Sequence, residues 1–496
     1  GSAAPAAPGA AAVGGVPGAA QCPVGPAGKV GLRNLGNTCF MNAGLQCLSH
    51  IEPLVAYFLS GEFEREVNTT GTFSCKGELA RAFAALQRSL WQSEHSVYDP
   101  RVLRSKLANF APHLFEGNQQ QDVQEFLAFC LDGLHEDLNR VDVQPPPITA
   151  EREREDELLR EQQGEEFSAA FAWLRHLERG KSVLVDLLQG QLRSSLTCSV
   201  CGHMSRQFDP FLYLSVPVTR GMSQVTDAIG KYLEREVLTG DERWHCERCD
   251  KKVDATKKID IWKLPPVLVI HLKRFEFDAK ALTFEKTDNR LYMKLSLLDL
   301  GELCSSPQRD GALYDVVCVA NHSGRFGSGH YTASCRVGGL GPGTWYHFND
   351  ERVTPIDGRN VVTRETYVIF LMRNDLPGRR RGGRGPKRRV TTLLRRQTPS
   401  MPENWPHPSE SVSAVLSATR GGGGAGSESG PSIQEAAAPS PAGPAEEDSG
   451  ASTAASEEKA SPPPKKQRTL EDCFPHCAGK PRRPGVDAER RAASET

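Results

Sequence analysis

The chain has 496 residues, with 60 Lys and Arg against 61 Asp and Glu, for a net charge of −1. That balance excludes a uniformly basic nucleic-acid coat or an acidic buffer protein, so any charge logic must be local. Hydrophobic residues make up only 38% and aromatics 7%, which predicts more than one domain and long stretches without a packed core.

Residues 1–27 are almost wholly Ala, Gly, Pro and Val, too small-sided to bury much area, and read as a disordered lead. The composition is globular over residues 28–375, which hold all but three of the 14 cysteines. Helical periodicity marks Asn42–Ser49 and Asp122–Leu138, where Val123, Phe126, Leu127, Cys130, Leu131 and Leu134 share one face. The mostly acidic run 151–166, inside a charged insertion around 145–180, reads as an exposed, solvated helix on a surface loop. Val267–Phe275, Asp315–Asn321, Tyr331–Val337 and Tyr367–Met372 read as strands bounded by Gly, Pro and Asp turns. The fold class is therefore α+β, helical first and sheet-rich second. Residues 376–496 are Pro, Gly, Ser, Ala and charge, a disordered low-complexity tail.

No run of about 18 apolar residues is present and the start lacks a signal-peptide pattern. The cysteines are unevenly spaced with two CxxC pairs, which suits thiol chemistry and metal better than a disulfide framework. These features lead us to expect a soluble, intracellular protein in a reducing compartment, with no membrane partner.

Three segments carry chemistry. In Gly31–Asn42, Cys39 follows a Gly/Asn turn into a helix, where backbone N–H groups and the helix dipole favour a thiolate. A single cysteine is as often an inert buried thiol, so a partner must decide. In Gly327–Ala333, His330 begins a strand after a mobile Gly/Ser loop, in place to act as a general base. Trp345–Asp350 puts Asn349 and Asp350 after an aromatic strand, where either can hold the imidazole in its useful tautomer.

With the segment Gln119–Leu127, these motifs stand in the order found in ubiquitin-specific proteases, which the chain resembles from Gly31 to Asp375. The resemblance implies a papain-like cysteine protease with a helical thumb, a β-rich palm and zinc-ribbon fingers around 190–260 that hold ubiquitin. It implies Cys39 as the nucleophile, His330 as the base and Asn34 as a side-chain donor to the oxyanion. Many members carry Asp directly after the aromatic; here Asn349 stands there and Asp350 follows. Asn349 is assigned to orienting His330, and Asp350 to support, on the ring or through water at the oxyanion. On that assignment Asn349→Ala loses more activity than Asp350→Ala. Asp122 suits a helix N-terminus, and by resemblance also accepts a basic residue of ubiquitin's tail, with Gly329 and Tyr331 as further binding residues. The segment 321–329 resembles a gating loop with Gly/Ser hinges. The activity implied is removal of ubiquitin from Lys. The competing readings are a ubiquitin-binding scaffold and a protease for a ubiquitin-like modifier.

Cys198, Cys201, Cys246 and Cys249 form CxxC…CxxC with 44 residues between the pairs, the spacing of a closed tetrahedral zinc site that is structural. In the tail, 379–396 hold nine basic residues and no acidic one, and Pro464–Arg468 is a second basic run. They suit nucleic acid, phosphates or importins and predict a nuclear location. Gln467, Leu470 and Phe474 resemble a sliding-clamp binding box, weakened by Cys473 where its first aromatic belongs.

Overall fold

The computed structural model describes residues 27–374, apart from 116–118, 279–282, 308–311, 326 and 339–343. Nearly all of the lead, the tail, its basic runs and the clamp-like box at Gln467–Phe474 lie outside the described residues. Among the described residues no helix is long and apolar enough to cross a membrane.

Five helices build the first lobe: α1 (Cys39–Leu48), α2 (Glu52–Leu59), α3 (Glu78–Gln92), α4 (Arg101–Phe110) and α5 (Val123–Asp137). The chain enters α1 through Gly36 and Asn37, at φ of 93° and 52°. The Asn34 side-chain oxygen holds that turn, accepting from the N–H groups of Gly36 and Thr38 at 3.0 and 3.2 Å. Every residue of α1 is buried, so this helix runs through the core rather than over it. Gly44 lets it close on α5, because a Cβ there would lie 2.8 Å from the Phe126 ring. Asp122 caps α5, its Oδ1 accepting from the N–H groups of Gln124 and Glu125 at 2.7 and 3.3 Å.

The palm sheet joins β5 (Leu214–Pro217), β10 (Val267–Lys273), β13 (Leu298–Asp299), β14 (Leu313–Arg325), β15 (Ser328–Val337), β16 (Thr344–Asn349), β17 (Arg352–Ile356) and β18 (Thr366–Arg373). Its order is β17-β16-β15-β14-β18-β10-β5, with β13 also paired to β14. One face packs on the helical lobe, with Phe40, Leu45 and Phe126 against Val317, Ala333 and Phe370 in a single core. A second core fills the other face under α9 (Val225–Tyr232). Covered on both sides, β10 and β18 are almost continuously apolar, as buried central strands must be.

The finger sheet has the order β4-β3-β9-β6, from β3 (Gly190–Cys198), β4 (Met204–Phe211), β6 (Glu236–Leu238) and β9 (Ala255–Lys263), with β7 (Trp244–Cys246) and β8 (Lys251–Val253) paired at the tip.

One expectation is extended and one corrected. The acidic run forms the expected helix and most of its residues are exposed, but it does not stand alone. It is the first arm of a helical hairpin, α6 (Ala150–Gln163) packed on α7 (Glu165–Leu177), and α7 docks on the fingers. Glu165 pairs with Arg193 and Arg206, both at 2.7 Å, Asp156 is buried between Arg152 and Arg175, and Ala169 packs with Phe208 and Trp262. The apolar stripe of Phe167, Phe171 and Trp173 draws the charged segment down with it. The segment 321–329 is a strand hairpin rather than an open loop: β14 and β15 stay paired out to Arg325 and Ser328. Its glycines serve close approach, since a Cβ at Gly324, where φ is 116°, would lie 2.6 Å from the Gly329 Cα.

Candidate active site

Cys39 is the first residue of α1 and is 1% exposed. Burial raises its thiol pKa above the ordinary value. The Tyr331 N–H, from the residue after His330, works against this, the nearby Asp350 carboxylate adds to it, and the N–H groups of Phe40 and Cys39 itself oppose it. The thiolate expected from the helix terminus is thus corrected. The dipole is present, but desolvation outweighs it and holds the Cys39 pKa above its ordinary value.

His330 lies within β15, opposite Ser323 of β14. Its Nε2 lies 2.7 Å from Asn349 Oδ1; an amide oxygen only accepts, so Nε2 carries the hydrogen and Nδ1 is the ring's basic nitrogen. Asn349 ends β16, and the turn into β17 puts Asp350 at a φ of 49°. Its carbonyl accepts from the Leu32 N–H at 2.9 Å, fixing the turn to β1 (Gly31–Leu32). Both Asp350 oxygens accept from amides: Oδ2 from Asn34 Nδ2 at 2.9 Å, Oδ1 from Asn42 Nδ2 at 2.7 Å. The expected residues Cys39, His330, Asn349, Asp350 and Asn34 thereby converge on one end of α1.

Asp122, besides capping α5, ties the two lobes. Its Oδ2 accepts from the Tyr367 hydroxyl at 2.6 Å and from that of Tyr331 at 3.5 Å. Burial and this carboxylate hold both phenol pKa values up, so both remain donors. Two residues earlier, the Gln120 Oε1 accepts from the Gly329 N–H at 2.7 Å. Gly329 and Tyr331 thus both meet the segment that starts α5. Sequence reasoning missed Asn42, Gln120 and Tyr367. Asn42 carried a faint signal, a polar residue one turn after Cys39 inside a mostly apolar helix, though Gln46 shares it.

The four finger cysteines gather at the tip, with their sulfurs all within 4.8 Å of one another. Cys198 and Cys249 are 3.8 Å apart, and Cys201 and Cys246 are 3.7 Å apart. A tetrahedral ion with sulfurs at about 2.3 Å requires neighbouring sulfurs about 3.8 Å apart, so the donor set fits zinc. The N–H groups of Val200 and Cys201 both point at the Cys198 sulfur at 3.4 Å, an arrangement that favours thiolate.

A family model for ubiquitin carboxyl-terminal hydrolase matches residues 30–371. The chain belongs to the ubiquitin carboxyl-terminal hydrolase family. Ubiquitin carboxyl-terminal hydrolase 2 of Rattus norvegicus is 40% identical over 356 residues, 71% of this chain and 55% of the relative. Its Gallus gallus counterpart is 40% identical over 349 residues, 69% of this chain and 93% of the relative. The chain thus spans about half the length of the first of these relatives. A solved SAGA DUB module of Ubp8, Sgf11, Sus1 and Sgf73 bound to monoubiquitin aligns with a TM-score of 0.55 at 24% identity, covering 70% of each chain. That likeness is one of fold, and it gives this family member the α+β hand with its finger sheet.

Proposed function

We propose that the chain is a thiol isopeptidase that hydrolyses the bond after the C-terminal glycine of ubiquitin on Lys of substrates or chains. Family membership supports the reaction class. The observation that carries it is the pairing of His330 Nε2 with Asn349 at 2.7 Å, beside a buried thiol at a helix N-terminus. His330 Nδ1 takes the Cys39 proton, and the thiolate attacks the glycine carbonyl. Asn34 Nδ2 gives one hydrogen to Asp350 and the other to the developing oxyanion. His330 returns its proton to the leaving Lys amine, then activates the water that releases the acyl group. Asp122 retains acceptor capacity on its Tyr-bound oxygen for a basic residue of ubiquitin's tail, which passes Gly329 and Tyr331.

The cysteine cluster holds one structural zinc that knits β3, β7 and β8 at the fingertip. Zinc-free protein retaining full activity would remove that assignment. The tail's basic runs suit a nuclear protein and phosphate-rich partners, and the Gln467 box a weak sliding-clamp contact. Moving a reporter fused to 375–496 out of the nucleus by neutralising 379–396 tests the first.

The deciding experiment reacts purified protein with ubiquitin bearing a C-terminal thiol-reactive warhead, beside Cys39→Ala and an inert ubiquitin. A Cys39-dependent adduct is expected. Binding of inert ubiquitin without an adduct would make the chain a scaffold; reaction only with a ubiquitin-like probe would change the modifier.

A further inference from the structure

Asn42 sits one helical turn after Cys39 and is 2% exposed. Its Nδ2 has two hydrogens and three acceptors: Asp350 Oδ1 at 2.7 Å, Arg33 O at 3.3 Å and Leu32 O at 3.4 Å. The surrounding acceptors fix which end of the amide is nitrogen, because the reverse orientation would set its oxygen against a carboxylate and two carbonyls. That leaves Asn42 Oδ1 buried with no protein partner. A buried orphan acceptor costs stability, and such a group persists where its other end does something the fold alone does not require.

Asn42 joins the helix of the nucleophile, the backbone that leads into Asn34, and the carboxylate that holds Asn34. Asp350 lies in the left-handed region at a φ of 49°, and each of its side-chain oxygens is held by one of these amides. We infer that Asn42 is a positioning residue for the hydrolytic reaction: it fixes Asp350, and through Asp350 the Asn34 amide, so that the remaining Asn34 N–H faces the oxyanion. The inference rests on the reading of the site as a ubiquitin isopeptidase.

Its test uses the full chain and a ubiquitin-based isopeptide substrate, with kcat, KM and thermal midpoint measured for each variant. Asn42→Ala is expected to lower kcat roughly 10- to 100-fold, as loss of an oriented oxyanion donor does, with KM within about twofold. Asn42→Asp fills the same volume but accepts where Asn42 donates. It is expected to be at least as impaired as Asn42→Ala, whereas a residue that only fills space would tolerate it. In Asp350→Ala, adding Asn42→Ala should lower kcat no further, because the residue acts through that carboxylate.

Additive losses in the double variant, or wild-type kcat in Asn42→Asp, would overturn the inference. A fall in kcat that tracks a lowered thermal midpoint in both single variants would overturn it equally, as a role in folding alone. If the wild-type chain processes no ubiquitin substrate, the underlying reading fails instead, and the wild-type control separates the two cases.

Discussion

A desolvated thiol is a weak nucleophile until a base removes its proton, and Cys39 is held in that state by burial, with Asp350 adding to it. Ionisation of an acid beside a negative charge is disfavoured, so neutralising the charge must move the thiol pKa down. In Asp350→Asn, the pH midpoint for alkylation of Cys39 by iodoacetamide is expected to fall relative to wild type; an unchanged or higher midpoint would contradict the charge effect. The two residues after the aromatic also part company at this scale. The motif puts Asn349 first, whereas the geometry puts Asp350 first. Asn349 is exposed and makes one bond to the ring, which water can replace, while Asp350 anchors Asn34 and the buried Asn42. Asp350→Ala should therefore cost kcat on the order of 10²–10³, the usual cost of a lost oxyanion donor, and Asn349→Ala about tenfold. Single-turnover rates would show the order directly. Cys39 and His330 were legible because nucleophile and base impose residue types on short segments. Gln120 was not, and the role of Asn42 was not, because each rests on a partner more than 200 residues away, Gly329 and Asp350.

Helix α5 carries a pH-dependent weakness. Asp132 is 6% exposed, its Oδ1 has no protein partner, and burial with Glu136 nearby pushes its pKa up to about 8. Glu136 is pushed up to about 7 by burial and Asp137. Both carboxyls bind protons in the folded chain at pH values where the unfolded chain has lost them. Their contribution to stability is complete below the unfolded values near 4 and disappears as pH rises through 7 to 8. Asp132→Asn should thus raise the thermal midpoint at pH 8 by ~2–4 °C or more and flatten its fall between pH 6 and pH 8. A variant less stable than wild type at pH 8 would show the carboxylate to be satisfied. Elements with one strong period, such as α5, β10 and β18, were plain in the sequence. The β14–β15 hairpin was misread because glycine signals mobility and close strand approach alike. The exposed α6 was legible, but the docking of α7 was not, because Glu165 pairs with Arg193 and Arg206 on the fingers, beyond any sequence window.

At the scale of the molecule, thumb meets palm through few polar groups, and Asp122 is central, capping α5 while accepting from Tyr367. Tyr367→Phe removes that bond without emptying the space. It is expected to raise KM for ubiquitin substrates about three- to tenfold, kcat holding within about twofold, with a loss of ~1–3 kcal/mol of stability typical of a hydrogen bond to a charged group. Unchanged KM would confine Asp122 to its capping role. The hand-like plan was legible only through the family resemblance that the four motifs carry, not from composition or periodicity. The register that joins the lobes was not, since it depends on packing.

The fingers leave the palm twice, once as the β3–β4 hairpin and once from β6 to β9, with β5 and α9 of the palm between them, and Gln191 of β3 stands opposite Lys263 of β9 where the two join. Each excursion has its ends fastened together by strand pairing, Gln191 to Pro210 in the first and Glu236 to Lys257 in the second. Its length can change without moving the strands that carry His330 and Asn349. Evolution or an engineer can therefore exchange this module for one with a different grip while the cutting chemistry stays intact.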